Sequence, residues 1–293
     1  MEINESRISC FVKAQCTLGE GPIWDTSRNG LWWVDIVGQR IYFVAAQGYP
    51  LQSWPMPELT GFVLPRPDGQ LWVGLKSGLH LATLPDDTQT PTLQRLNHID
   101  TDQPDIRFND ATLDAQGNLY AATMDMQTQR PLGKVFRYEV ADNGQLSPAI
   151  TLASDFIVAN GPALSPDGQT LYMIESSGHP GRAKGVWRAT IQPDGTLSEE
   201  TPWLEWPYDG SPDGGTVDAD GNLWLGNYGG DTIRQFSADG QLLTSIPLPV
   251  VNPTKVAVHP DGTLFVTSAR EGALDQQLAD YPLTGSVLKI SLR

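Results

Sequence analysis

Short runs rich in aromatic and β-branched residues, nearly continuous in apolar character, recur along this chain, each led by a turn that carries glycine. They read "RNGLWWVDI" from Arg28, "PDGQLWVGL" from Pro67, "AQGNLYAAT" from Ala115, "PDGQTLYMIE" from Pro166, "ADGNLWLGN" from Ala219 and "PDGTLFVTS" from Pro260. The turn glycines Gly30, Gly69, Gly117, Gly168, Gly221 and Gly262 are spaced by 39, 48, 51, 53 and 41 residues. Asn-Gly and Asp-Gly accept the positive φ of tight hairpins, and the flanking residues have the makeup of strands. Further strand-like runs follow, such as "RIYFV" at Arg40, "KVFRYEV" at Lys134 and "GVWRATI" at Gly185. Room for about four strands per unit, in six units of this period, predicts an all-β six-bladed β-propeller over a β-helix or an open sandwich.

Two segments fall outside the repeat. "SRISCFVKA" near the N-terminus has no unit of its own, and the expectation is that it pairs with "GSVLKISL" near the C-terminus. That pairing closes the ring and removes an exposed edge. Helical periodicity is confined to one or two turns in "GALDQQLADYP". Residues 1–293 are therefore read as a single propeller domain.

Composition narrows the classes. A chain of 293 residues with 40 % hydrophobic content and nine Trp has ample material for a core. A net charge of -15 argues against nucleic acid as a partner, because phosphate contacts need clustered Lys and Arg. No apolar run approaches the roughly 20 residues of a membrane helix, so no membrane partner is expected. The first residues lack the basic flank and apolar core of a secretory signal. Cys10 and Cys16, close together, could not staple a chain this long, which fits a reducing, cytoplasmic location. A closed ring of blades predicts a monomer.

Aligning the units on the Leu after each turn exposes the candidate chemistry. Ten residues before that Leu stand Gly61, Asn109, Asp213 and Thr254; in the two units with longer turns, eleven before it, stand Glu20 and Asn160. Equivalent positions of a propeller lie on a ring around its axis, so these residues converge at one mouth of the channel. Glu20, Asn109, Asn160 and Asp213 all carry side-chain oxygens, a set suited to a divalent cation. Asn and Asp also cap backbone before turns, but four polar residues at one repeat register favour a metal site. The scattered His80, His98, His179 and His259 make no zinc signature, and no "GxSxG" elbow surrounds a serine.

"LGEGPIW", "RFNDATLDAQGNLY", "NGPALSPDGQTLY", "PDGGTVDADGNLWLGNYGG" and "TSAREG" together resemble the SMP-30/gluconolactonase/regucalcin family of sugar-lactone hydrolases, from about Leu18 to Leu288. The resemblance implies a six-bladed propeller, in agreement with the repeat. It also implies that Glu20, Asn160 and Asp213 are metal ligands, and that Arg107 and Asn109 of "RFND" contact the hydroxyl and ring oxygens of a small sugar lactone. "LADYPLTGSV" resembles a segment of bacterial xylonolactonase-type members and leans the substrate toward pentose or hexose aldonolactones. Two departures stand out: Glu175 where the family has Asp, and Gln127 where regucalcin-like members have a carboxylate.

The expected reaction is hydrolysis of the lactone to the aldonic acid. One divalent ion (Ca, Zn, Mg, Mn or Fe(II)) activates a water, and Asp213 accepts its proton, with Glu20 as the second candidate for that base. Tyr228, Arg270 and Glu271 are further candidates for the cavity wall. The rival readings are a calcium-binding regulatory propeller without turnover and a protein-interaction propeller; the second lacks Trp-Asp punctuation.

Overall fold

The computed structural model describes residues 7–87, 89–99, 103, 105–141 and 144–292. The strands form six four-stranded sheets, the blades of a β-propeller. The first five blades span residues 19–55, 60–98, 106–156, 159–205 and 211–247, each a meander whose strands pair in chain order. In the sixth, Pro253–Val258, Leu264–Ser268 and Val287–Ile290 are completed by Ile8–Val12 as the outer strand. Ile8 lies opposite Ile290 and Cys10 opposite Leu288, so the N-terminal strand closes the ring as its lack of a unit predicted. The only helix among the described residues is Asp275–Asp280, and none is long and apolar enough to cross a membrane.

The hairpin glycines behave as expected in five blades, where Gly69, Gly117, Gly168, Gly221 and Gly262 all have positive φ. The first blade differs. Asn29 takes the positive φ of 49°, and Gly30 already belongs to the strand Gly30–Asp35. There a Cβ would lie 2.4 Å from the Phe43 ring, so glycine is needed for close packing rather than for the turn.

The core is a circle of apolar packets, one between each pair of neighbouring blades. Trp32 and Trp54 meet Val63 and Val73 between the first and second, and Phe62 and Trp72 meet Phe108 between the second and third. Tyr120 meets Met173, and Tyr172 meets Phe236, in the next two junctions. Trp224 with Val256, and Phe265 with Trp33, complete the circle. Each packet needs two blades, so no blade buries its faces alone.

The innermost strands are Gly19–Asp25, Thr60–Pro65, Ile106–Leu113, Ala159–Leu164, Ser211–Val217 and Pro253–Val258, neighbours around the axis. Every one of them breaks register with its partner strand near its start. Such bulges bend a strand and re-aim the side chain beside them. Glu20 and Asn160 sit at the lip of two of these breaks, and the following Gly-Pro occupies the unpaired stretch. Gly21 and Gly161 have φ of 56° and 33°. At Gly161 a Cβ would come within 2.2 Å of the Gly215 nitrogen, which forbids a larger residue beside Asn160.

Candidate active site

Glu20, Arg107, Asn109, Asn160 and Asp213 line one cavity of about 260 Å³ at the mouth of the channel. All five are at least nine-tenths buried. The two other ring positions serve the scaffold. Gly61 lets the third blade approach, since a Cβ there would lie 2.3 Å from the Phe108 oxygen. Thr254 Oγ1 donates to the Gly19 oxygen at 2.6 Å and so ties the sixth blade to the first.

The bulges hold the side chains in place. Glu20 Oε2 accepts the Gly21 N–H at 2.8 Å, and Asn160 Oδ1 accepts that of Gly161 at 3.0 Å. Asn160 Nδ2 donates to Asp213 Oδ1 across two blades. Glu20 lines the same cavity beside Asp213. Burial, and then the charge of neighbouring carboxylates, pushes the proton affinity of both acids upward: Asp213 and Asp110 act on Glu20, and Asp110 acts on Asp213.

A buried pair of like charges needs either a proton or a cation. Among the described residues no three His, Cys, Asp or Glu side chains are gathered to hold a metal, so an ion here would rest on two carboxylates and amide oxygen. That donor set fits a hard divalent cation. A half-turn of the Asn160 amide would present its oxygen toward Asp213, at the expense of the bond from Gly161.

Arg107 stands beside the acids. Its Nη1 donates to Asn109 Oδ1 at 2.7 Å and to the Phe108 oxygen at 3.0 Å. Asn109 Nδ2 donates onward to the Ala159 oxygen at 3.1 Å, so this amide clamps the guanidinium and joins the third blade to the fourth. Burial lowers the Arg107 pKa to about 10, opposed by the charges of Glu271, Glu20 and Asp213.

The remaining candidates divide. Tyr228 and Glu271 line the cavity, with Tyr228 Oη donating to the Glu271 backbone oxygen at 2.5 Å; Arg270 does not line it. His179 is held away by the Asp155 oxygen at 2.8 Å from its Nε2. Gln127 is exposed, and its neighbour Thr128 reaches the cavity instead. Glu175 is fully buried and accepts the N–H groups of Ile157 at 2.7 Å and Ser177 at 2.9 Å. It thereby fixes the turn that brings Ser176 and Ser177 to the wall.

Sequence reasoning missed the apolar side of the pocket, Leu18, Ile36, Met124 and Val158. It also missed Lys255, whose Nζ reaches both oxygens of Asp110 at 2.6 and 2.7 Å.

Three kinds of likeness bear on this geometry. The SMP-30/Gluconolactonase/LRE-like region model matches residues 18–270. A 6-deoxy-6-sulfogluconolactonase of Pseudomonas putida is 30 % identical over 289 residues, 97 % of this chain and 94 % of that protein. An L-arabinolactonase of Azospirillum brasilense is 32 % identical over 282 residues, 94 % and 89 % of the two chains. The crystal structure of a calcium-binding protein, regucalcin, from Agrobacterium tumefaciens superposes with a TM-score of 0.84 at 24 % identity, covering 96 % of this chain and 92 % of that one. This last likeness is one of fold. With its ring of six blades and a family match across most of its length, the chain belongs to the SMP-30/gluconolactonase/LRE-like family.

Proposed function

We propose that this chain hydrolyses a sugar lactone to the aldonic acid at the channel mouth, using a divalent cation held by Glu20, Asn160 and Asp213. The observation that carries the reading is the meeting of two buried carboxylates and an amide from three blades beside the Arg107–Asn109 clamp. Family membership, with relatives that include sugar lactonases by name, supports the substrate class.

The cation that Glu20, Asn160 and Asp213 would hold would supply polarisation of the lactone carbonyl and a lowered proton affinity of water. Asp213 Oδ2, the oxygen that Asn160 leaves free, takes the proton of the attacking water and returns it to the ring oxygen as the acyl C–O bond breaks. Arg107, held in one orientation by Asn109, grips the sugar hydroxyls with its planar fork. The apolar wall of Leu18, Ile36, Met124 and Val158 limits water around the carbonyl. A small neutral pentose or hexose aldonolactone suits a cavity of about 260 Å³. The ring acts as a monomer.

Arg107→Lys keeps the charge and loses the fork, so KM for the lactone is expected to rise on the order of tenfold with a smaller loss of kcat. Steady-state kinetics decide this, and an unchanged KM removes Arg107 from the substrate contacts. The function itself is tested by proton release from a panel of aldonolactones with metal-stripped protein, each divalent ion being restored in turn. Ion-dependent acid release above the spontaneous rate is expected. Calcium binding without turnover of any lactone would leave a cation-binding protein instead.

A further inference from the structure

Beneath the acid pair the channel is crossed by a second pair of charges. Asp110 follows Asn109 on the third blade and Lys255 follows Thr254 on the sixth, so the two stand on blades that face each other across the ring. Both are buried, Asp110 to 1 % and Lys255 to 5 % exposure, and the ammonium meets both carboxylate oxygens. Lys255 lines a lower cavity with Thr112, Thr216 and Val258, whereas Glu20 and Asp213 line the upper one.

We propose that the Asp110–Lys255 pair is a charge-balanced strut that sets how tightly Glu20 and Asp213 hold a divalent cation. This rests on the cation reading above. The strut touches the acid site directly: a Cβ on Gly214 would lie 2.5 Å from Lys255 Cβ, so the residue after Asp213 lies on the lysine stem. The Asp110 charge acts on both acids and the Lys255 charge acts on Glu20. At Glu20 the two charges act in opposite directions. Removing either one leaves a full charge under the cation, in a medium that screens poorly.

The signs of the effects separate this role from a purely structural one. Asp110→Asn strands an ammonium below the acids and is expected to weaken cation binding on the order of tenfold or more. Lys255→Gln strands a third carboxylate and tightens binding by a similar factor. The double variant Asp110→Asn/Lys255→Gln restores neutrality and binds within about threefold of wild type. A strut that merely kept the bulges in shape would weaken binding in both single variants.

The measurement is calorimetric titration of Ca²⁺ into chelator-treated full-length protein, with circular dichroism confirming the fold of each variant. Opposite signs support the strut, and equal signs overturn it. Should a single variant not fold, the double decides: near-wild-type affinity supports the proposal and a shift beyond tenfold overturns it. Wild-type protein that takes up no Ca²⁺, Mg²⁺, Mn²⁺ or Zn²⁺ overturns the cation reading and the strut together. Cation binding with equal signs overturns the strut alone.

Discussion

Asp213→Ala is expected to lower cation-dependent lactone hydrolysis on the order of a thousandfold or more, with weaker cation binding in the same variant. The size follows from the number of tasks placed on one carboxylate. It accepts the Asn160 amide and lines the cavity; in the proposed mechanism it also supplies one of only two negative charges to the cation and carries the proton of the attacking water. Loss of a metal-activated water or of a positioned base each costs a large factor, and here both go at once. Asp213→Asn and Glu20→Gln, assayed at saturating cation, separate holding the ion from moving the proton. A kcat loss concentrated in Asp213→Asn supports Asp213 as the base; a larger loss in Glu20→Gln transfers that role to Glu20. Retention of more than a tenth of the activity in Asp213→Ala would exclude the proposed arrangement.

The second large effect couples pH, cation and stability. Burial and neighbouring carboxylates raise the Glu20 and Asp213 carboxyls in the folded chain, Asp213 from 3.8 to about 7. The folded protein therefore holds more protons than the unfolded chain between those values, and by linkage its stability falls as pH rises through that window. Cation-free protein is expected to melt several degrees lower at pH 8 than at pH 5. At the proposed site a divalent cation would replace the proton as the compensating charge, so adding it is expected to restore the melting temperature at pH 8 and change little at pH 5. Calorimetric melting with and without the ion checks both limbs. A cation effect equally large at the two pH values would show that the ion binds elsewhere.

Much of this architecture could be read from the repeat. The six glycine-led turns mark the second strand of each blade, and counting back from the following Leu reaches the innermost strand at the bulge in all six. That works because a propeller places equivalent positions on a ring, so sequence register becomes spatial proximity. Gly61 and Thr254 show the limit: register puts them at the mouth, but close backbone approach and an inter-blade hydrogen bond decide their use. The apolar wall was not legible, since Ile36 and Val158 lie in loops next to strands where no periodicity acts. Asp110 and Lys255 were within reach of the same method. One step past the ring position, opposite units carry one acid and one base, but a pairing across the axis links residues 145 apart and has no local signature.

Ring closure has a consequence for when the chain acquires its chemistry. Glu20 belongs to the first blade and Asp213 to the fifth, and only the sixth blade lies between them on the short way round. That blade is assembled from both ends of the chain, with Ile8–Val12 laid against Val287–Ile290. The blade that joins the first to the fifth is thus complete only when the latest-made strand has met one of the earliest. A nascent chain with five finished blades holds its two key carboxylates on opposite sides of a gap. On the proposed cation site, capacity to hold the ion would then depend on ring closure, and uptake of the ion by a refolding sample would report when the circle shuts.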